Sequence, residues 1–194
     1  MNIHPRHKGS HPQCARDRRR GEERAIRSLF AVAALLVATS FASAPLRAAA
    51  AKHSLLHRQA PTFIRADLAG KQVDLSAYRG KVVLLNFWAT WCAPCQLELP
   101  RFNTWQTKYG PDELQIIAVS MDDDPALARA TARKLQLSFP VIMGDAELGT
   151  QYGGVLGLPV TYLIGRDGII RARFKGAANL QVVEKRIRKL LEAR

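Results

Sequence analysis

Residues 61–194 predict an α/β domain, a central mixed β-sheet with helices on both faces, and three observations predict it. Residues 82–89 and 114–121 are two nearly unbroken apolar runs, too uniformly apolar for strands with one wet face, so both read as strands buried on two sides. Each is followed by residues of helical periodicity, the pattern of parallel strands joined by crossover helices. Asp167-Gly168 then separates two strand-like runs, 160–164 and 169–174, a strong hairpin signal that adds antiparallel strands to the sheet.

The elements follow in order. Residues 61–66, with Phe63 and Ile64, suit an edge strand, and a turn at 68–71 returns the chain through 72–75, so a small hairpin precedes the main sheet. Ser76 to Tyr78 start a helical turn that ends at Gly80. After the strand 82–89, a helix runs from Cys92 to Tyr109. Leu97, Leu99, Phe102 and Trp105 recur there at near-helical spacing, and Gly110-Pro111 stop it. Pro94 falls in the first turn, where the N–H it lacks has no helical partner. The strand 114–121 leads to Asp122-Asp123-Asp124-Pro125, which cap a helix over 126–137. Acids at a helix N-terminus complement its dipole, and no calcium-loop spacing follows, so these aspartates do not predict a metal site. A short strand over 140–143 and a short helix over 147–152 lead into Gly153-Gly154. Pro159 stands at the first position of the strand 160–164, where a missing N–H is tolerable. Asn179 caps a last amphipathic helix with Val182, Val183, Ile187, Leu190 and Leu191 on its apolar face.

The first 51 residues are not domain-like. Residues 1–27 are basic and aperiodic, and 29–44 form an uncharged run of Ala, Leu, Val and Phe, shorter than the about 20 residues a spanning helix needs. Small residues follow, with a favoured cut after Ala50 or Ala51. The segment 1–51 therefore reads as a basic leader with a signal peptide, or as an uncleaved signal-anchor tethering the chain through 29–44. Residues 52–60 read as a linker, and 61–194 as the exported domain, on the periplasmic side of a bacterial inner membrane. Arg18-Arg19-Arg20 is followed by Gly21-Glu22-Glu23 rather than an apolar residue, and so reads as ordinary positive charge.

Of the net charge of +13, residues 1–51 carry +6 and residues 52–194 carry +7. The basic residues of the domain are scattered and not interleaved with aromatics, which argues against nucleic-acid binding. The three cysteines are Cys14, in the leader, and Cys92 and Cys95. A structural disulfide framework needs more, wider-spaced cysteines. Zinc needs a second ligand pair, and no histidine follows Cys95. A c-type haem site needs histidine directly after the second cysteine, where this chain has Gln96. A redox-active pair remains. It sits at a strand exit and in the first turn of a helix, where free N–H groups and the helix dipole favour a thiolate at Cys92.

Four motifs in order, GKVVLLNFWATWCAPC, QIIAVSMD, GVLGLPVTYLI and the closing Asp-Gly hairpin, resemble the TlpA-like branch of the thioredoxin superfamily over about residues 61–194. The resemblance implies a thioredoxin fold with an added N-terminal β-hairpin. It also implies an exported, often membrane-tethered protein-thiol:disulfide oxidoreductase, commonly serving cytochrome c maturation or related thiol supply.

Carried onto this chain, the resemblance makes Cys92 the attacking thiol and Cys95 the resolving thiol of a redox-active disulfide. Pro159 becomes a cis-proline packed against that disulfide, Leu158 offers backbone to an extended stretch of substrate, and Trp91 covers the rim. Asn86 stands where ordinary thioredoxins carry a buried aspartate. Glu98, one helical turn after Cys95, is implied instead in active-site proton transfer, since a carboxylate near a buried thiol has a raised pKa and can take up the Cys95 proton. The expected reaction is reduction of a partner disulfide through a mixed disulfide, with no cofactor or metal. The expected partners are a disulfide-containing substrate protein and a membrane thiol electron donor. An oxidase or isomerase is the alternative, because Ala93-Pro94 alone does not set direction. A peroxidase would want its cysteine in a Thr/Pro-rich, Arg-supported loop. A copper chaperone would want cysteines four apart with a downstream histidine, and a binding module with structural thiols would be inert to alkylation.

Overall fold

A computed structural model describes residues 54–193, and the proposed signal or anchor run over 29–44 lies outside the described residues. A hairpin of β1 (Ile64–Ala66) and β2 (Gln72–Asp74) pairs Ile64 with Asp74, and a 3₁₀ turn over Leu75–Tyr78 follows. The main sheet has five strands in the order β5-β4-β3-β6-β7. They are β3 (Val82–Trp88), β4 (Leu114–Ser120), β5 (Val141–Met143), β6 (Val160–Ile164) and β7 (Ile170–Lys175). β3 runs parallel to β4 and β4 to β5, whereas β6 is antiparallel to both β3 and β7, so the sheet is mixed as expected. The helices are α1 (Ala93–Tyr109), α2 (Pro125–Lys134), α3 (Ala146–Gln151) and α4 (Leu180–Glu192).

All seven residues of β3 are buried, and their alternation divides the core into two layers. Val82, Leu84 and Trp88 face a cluster with Leu99, Phe102 and Trp105 of α1, Ala128 of α2, and Val183 and Ile187 of α4. Val83, Leu85 and Phe87 face a second cluster with Phe63, Val73 and Leu75 of the hairpin region and Leu148 of α3. α1 and α2 share a layer because β3, β4 and β5 are adjacent in that order. Two right-handed crossovers stepping the same way put both helices on one face. The added hairpin thus completes the opposite layer together with the short α3.

Both edges of the sheet are met by the N-terminal segment. The hairpin turn reaches the β5 edge through Leu68 N–H to Val141 C=O at 2.8 Å. The stretch read as a linker, 52–60, is engaged in its described part: His57 N–H donates to Ile170 C=O at 2.8 Å and Ile170 N–H to Arg58 C=O at 2.9 Å, alongside β7. Covering sheet edges in this way removes a template for unwanted strand pairing.

Helix ends follow local chemistry. Asp124 caps α2 by accepting from Ala126 N–H at 2.8 Å. The helix stops at Lys134, short of the expected 137, because Gln136 turns left-handed (φ 51°) and Leu137 N–H closes back on Ala132 C=O at 3.0 Å. Pro100 lies inside α1 on its exposed side, where it costs a backbone hydrogen bond, while Leu99, Phe102 and Trp105 anchor the opposite side of the helix in the core. Gly168 adopts φ 73° in the β6–β7 turn, a backbone conformation in which any side chain would be strained. Asn179 Oδ1 accepts from Gln181 and Val182 N–H at 3.1 and 3.3 Å to start α4. Asn179→Ala is expected to lower stability by about 1 kcal/mol, read as a reduced urea midpoint at unchanged m-value.

Candidate active site

The site forms where β3 ends. Beyond Trp88 the chain passes through Ala89, Thr90 and Trp91, and Cys92 N–H donates to Ala89 C=O at 3.2 Å, a turn that delivers Cys92 to the N-cap of α1. Cys92 is extended (φ −88°, ψ 98°) and Pro94 falls within the first helical turn, so the N–H of Cys95 is left to donate to Cys92 Sγ at 3.3 Å. Cys92 and Cys95 form a disulfide with their Cα atoms 5.3 Å apart. Cys95 is buried behind Cys92, which is itself only 5% exposed.

Facing them is the start of β6. Phe87 pairs with Val160, which brings residues 158 and 159 beside the end of β3. The Leu158–Pro159 peptide is cis, Pro159 is buried, and Leu158 packs against the cluster that holds both cysteines. The ladder of β6 begins only at Val160, so the Leu158 backbone lies outside it. Pro159 C=O accepts from Gly176 N–H at 2.8 Å, which ties the loop between β7 and α4 to the same place.

That loop also holds Glu98. One turn after Cys95 on the inner face of α1, Glu98 is buried, with one carboxylate oxygen accepting from Ala178 N–H at 2.8 Å. Its other oxygen is buried without a partner. Desolvation pushes the Glu98 pKa above the ordinary glutamate value, and the Ala178 hydrogen bond only partly offsets it. Asn86 is buried in β3 and donates from Nδ2 to Thr161 Oγ1 at 2.9 Å, so the position carries a neutral amide committed to the sheet. Glu98 is therefore the titratable carboxylate on the buried side of α1 next to Cys95.

Trp91 is 72% exposed, and two leucines share this exposure: Leu97 at 79% and Leu156 at 99%. Leu97 counted among the apolar residues of α1, yet it lies about 200° around the helix from Cys95 at 3.6 residues per turn, while Leu99, Phe102 and Trp105 turn inward. That angular offset was available in the sequence. Asp122, read above only as part of an acidic cap, instead reaches across to Thr90, and no spacing pattern foretold that contact.

Residues 56–173 match the AhpC/TSA family. Thiol-disulfide oxidoreductase ResA of Bacillus thuringiensis subsp. konkukian is 34% identical over 133 residues, covering 69% of this chain and 77% of the relative. ResA of Geobacillus thermodenitrificans is 32% identical over 128 residues, covering 66% and 74%. Among solved structures, a Chlorobium tepidum protein assigned as a DsbE thiol:disulfide interchange protein superimposes with a TM-score of 0.64 at 32% identity, covering 69% of this chain and 95% of that one. Sheet order, cysteine pair and these likenesses agree, and the chain belongs to the AhpC/TSA family as a TlpA-like thiol:disulfide oxidoreductase of thioredoxin fold.

Proposed function

We propose that the protein is an exported disulfide reductase in which Cys92 attacks and Cys95 resolves. The Cys92 thiolate attacks a partner disulfide, forms a mixed disulfide and releases one partner thiolate. Cys95, its proton passed to Glu98, then attacks Cys92 Sγ, expels the second partner thiolate and leaves the Cys92–Cys95 disulfide, so two electrons have moved to the partner. Glu98 is suited to that proton because burial brings its affinity for protons towards that of a thiol. The cis Leu158–Pro159 peptide offers backbone to an extended substrate segment, and Trp91 lines the approach.

The observation that supports the exchange chemistry is the placement of Cys92 at the head of α1, disulfide-bonded to the buried Cys95 and beside the cis Leu158–Pro159 peptide. Among the described residues its sulfur receives one hydrogen bond, from Cys95 N–H, and no lysine, arginine or histidine donates to it. Direction is set by the relative stabilities of the dithiol and the disulfide, which the reduction potential reads directly. The test is the reduction potential of Cys92–Cys95 by equilibration with glutathione or dithiothreitol. A value of about −250 mV or lower supports the reductase, whereas one of roughly −120 to −180 mV overturns it in favour of an oxidant or isomerase.

The proposed substrates are disulfide-containing proteins, with cytochrome c maturation as the setting that the family resemblance favours. A membrane thiol donor would re-reduce the pair, since the periplasm is kept oxidising. Residues 29–44 are proposed to direct export or to tether the chain. Among the described residues no helix is long and apolar enough to cross a membrane.

A further inference from the structure

Asp122 is a buried carboxylate that the reaction described above does not use. It stands two residues past the end of β4, is 6% exposed, and forms no ion pair among the described residues. Thr90 N–H donates to both of its oxygens, at 3.1 and 3.0 Å, and Thr90 Oγ1 donates to Oδ1 at 2.7 Å. Ser120 Oγ donates to Oδ2 at 2.8 Å and in turn accepts from Asp122 N–H at 3.2 Å. Taking a carboxylate out of water for neutral donors alone is costly, so a fully used acceptor set aimed at one loop residue needs a reason.

The reason lies in where Thr90 stands. Trp88 pairs with Ser120 at the last register position of β3 and β4, and Met121 N–H donates to Trp88 C=O at 2.8 Å, so the two strands leave the sheet side by side. Beyond that point no ladder holds the three residues leading to Cys92. Asp122 grips Thr90 by its amide and hydroxyl, and the remaining polar group of Thr90, its carbonyl, accepts from Gln96 Nε2 in the first turns of α1. All three polar groups of Thr90 are thereby committed. The chain from Asp122 through Thr90 to Gln96 brackets Trp91 and Cys92 between the end of β4 and α1.

We infer that Asp122 is a positioning residue for thiol–disulfide exchange, acting through Thr90 to hold the Trp91–Cys92 segment so that Cys92 Sγ is presented at the N-terminus of α1. The inference rests on the reading of Cys92 as the attacking thiol of the pair, and it is independent of the direction of electron flow. A group set in the right geometry by neighbours two residues away loses rate when that geometry loosens, even though the neighbours touch no substrate.

The test compares Asp122→Ala, Thr90→Val and Thr90→Ser with the unchanged chain and with Val183→Ala, which opens a cavity in the buried face of α4 far in sequence from the loop. Two rates are read on folded protein, checked by circular dichroism at the working temperature: alkylation of the reduced protein at Cys92, and mixed-disulfide formation with a disulfide-bonded model peptide. Asp122→Ala and Thr90→Val are expected to slow both on the order of 10-fold. Thr90→Ser, which keeps the hydroxyl and the amide, should restore them to near the original rates, and Val183→Ala should leave them unchanged despite its lower stability. Equal rates in Thr90→Val and the unchanged chain would overturn the inference. So would a loss in Val183→Ala matching that in Asp122→Ala, or a Thr90→Ser variant as slow as Thr90→Val. Should Asp122→Ala not fold, the Thr90 pair decides alone. An oxidising potential would remove the reductase reading while leaving these rates interpretable, so the two ideas fail separately.

Discussion

In a Cys95→Ser variant, a mixed disulfide between Cys92 and the partner protein will accumulate as a band cleaved by dithiothreitol, while turnover with a disulfide substrate falls on the order of 10³-fold or more. The asymmetry follows from position. Cys92 caps α1 and keeps 5% exposure against 1% for Cys95, so it is the one placed to meet an external disulfide. Cys95 sits one turn inward and buried, so it can reach only Cys92. Cys92→Ser should accordingly abolish both the trapped species and turnover, since the buried thiol has no access to a protein substrate. Both variants should fold, because the cysteines are two small members of one large hydrophobic layer and the layer on the other side of β3 contains neither. Full exchange activity in either variant would refute the assignment of attacking and resolving thiols. A trapped species in Cys92→Ser rather than Cys95→Ser would reverse their order.

Glu98→Gln is expected to slow resolution of the mixed disulfide by roughly 10²-fold at neutral pH, the lower end of what a positioned proton acceptor contributes. In the unchanged chain the rate should rise as pH passes upward through the raised Glu98 pKa and the carboxylate becomes able to accept the Cys95 proton. The variant should lose that limb. Stability should move the other way. A carboxyl whose folded-state pKa lies above its unfolded value favours folding fully below the unfolded value, near 4.5, and loses that contribution as pH rises through the folded one. Between those limits the stability of the unchanged chain should decline with pH, and Glu98→Gln should flatten the decline and melt higher at neutral pH. Its carbonyl can still accept from Ala178 N–H, so the loop after β7 should stay in place. Unchanged resolution kinetics with unchanged pH dependence would leave Glu98 as a buried structural residue only.

The chain's own periodicities determined a great deal. The uniform apolarity of β3 and β4 marked central strands, Asp167-Gly168 placed the β6–β7 turn, and Asn179 marked the start of α4. The Cys92–Cys95 spacing at a strand exit foretold the disulfide at the head of α1. These features rest on contacts within one turn or one strand, where side-chain order along the chain and position in space are nearly the same thing. What residues 52–60 do, by contrast, depends on which sheet edge lies open, and their described part runs along β7 rather than hanging as a free tether.

Only the tertiary structure decided how the site is finished. Glu98 could have been a surface helix carboxylate. The loop 80 residues later closes over it, strips its water and supplies a single N–H to its two oxygens. Asp122 sits among three acids that a sequence reads as one cap, yet only Asp124 caps α2, while Asp122 turns back to a threonine 32 residues earlier. Both outcomes follow from strand order. Placing β4 and β6 on either side of β3 makes neighbours of segments that sequence keeps far apart, and burial there sets the proton affinity of Glu98 and the hold on Thr90. The residues name the chemistry, and the sheet's adjacency assembles the groups that would tune it.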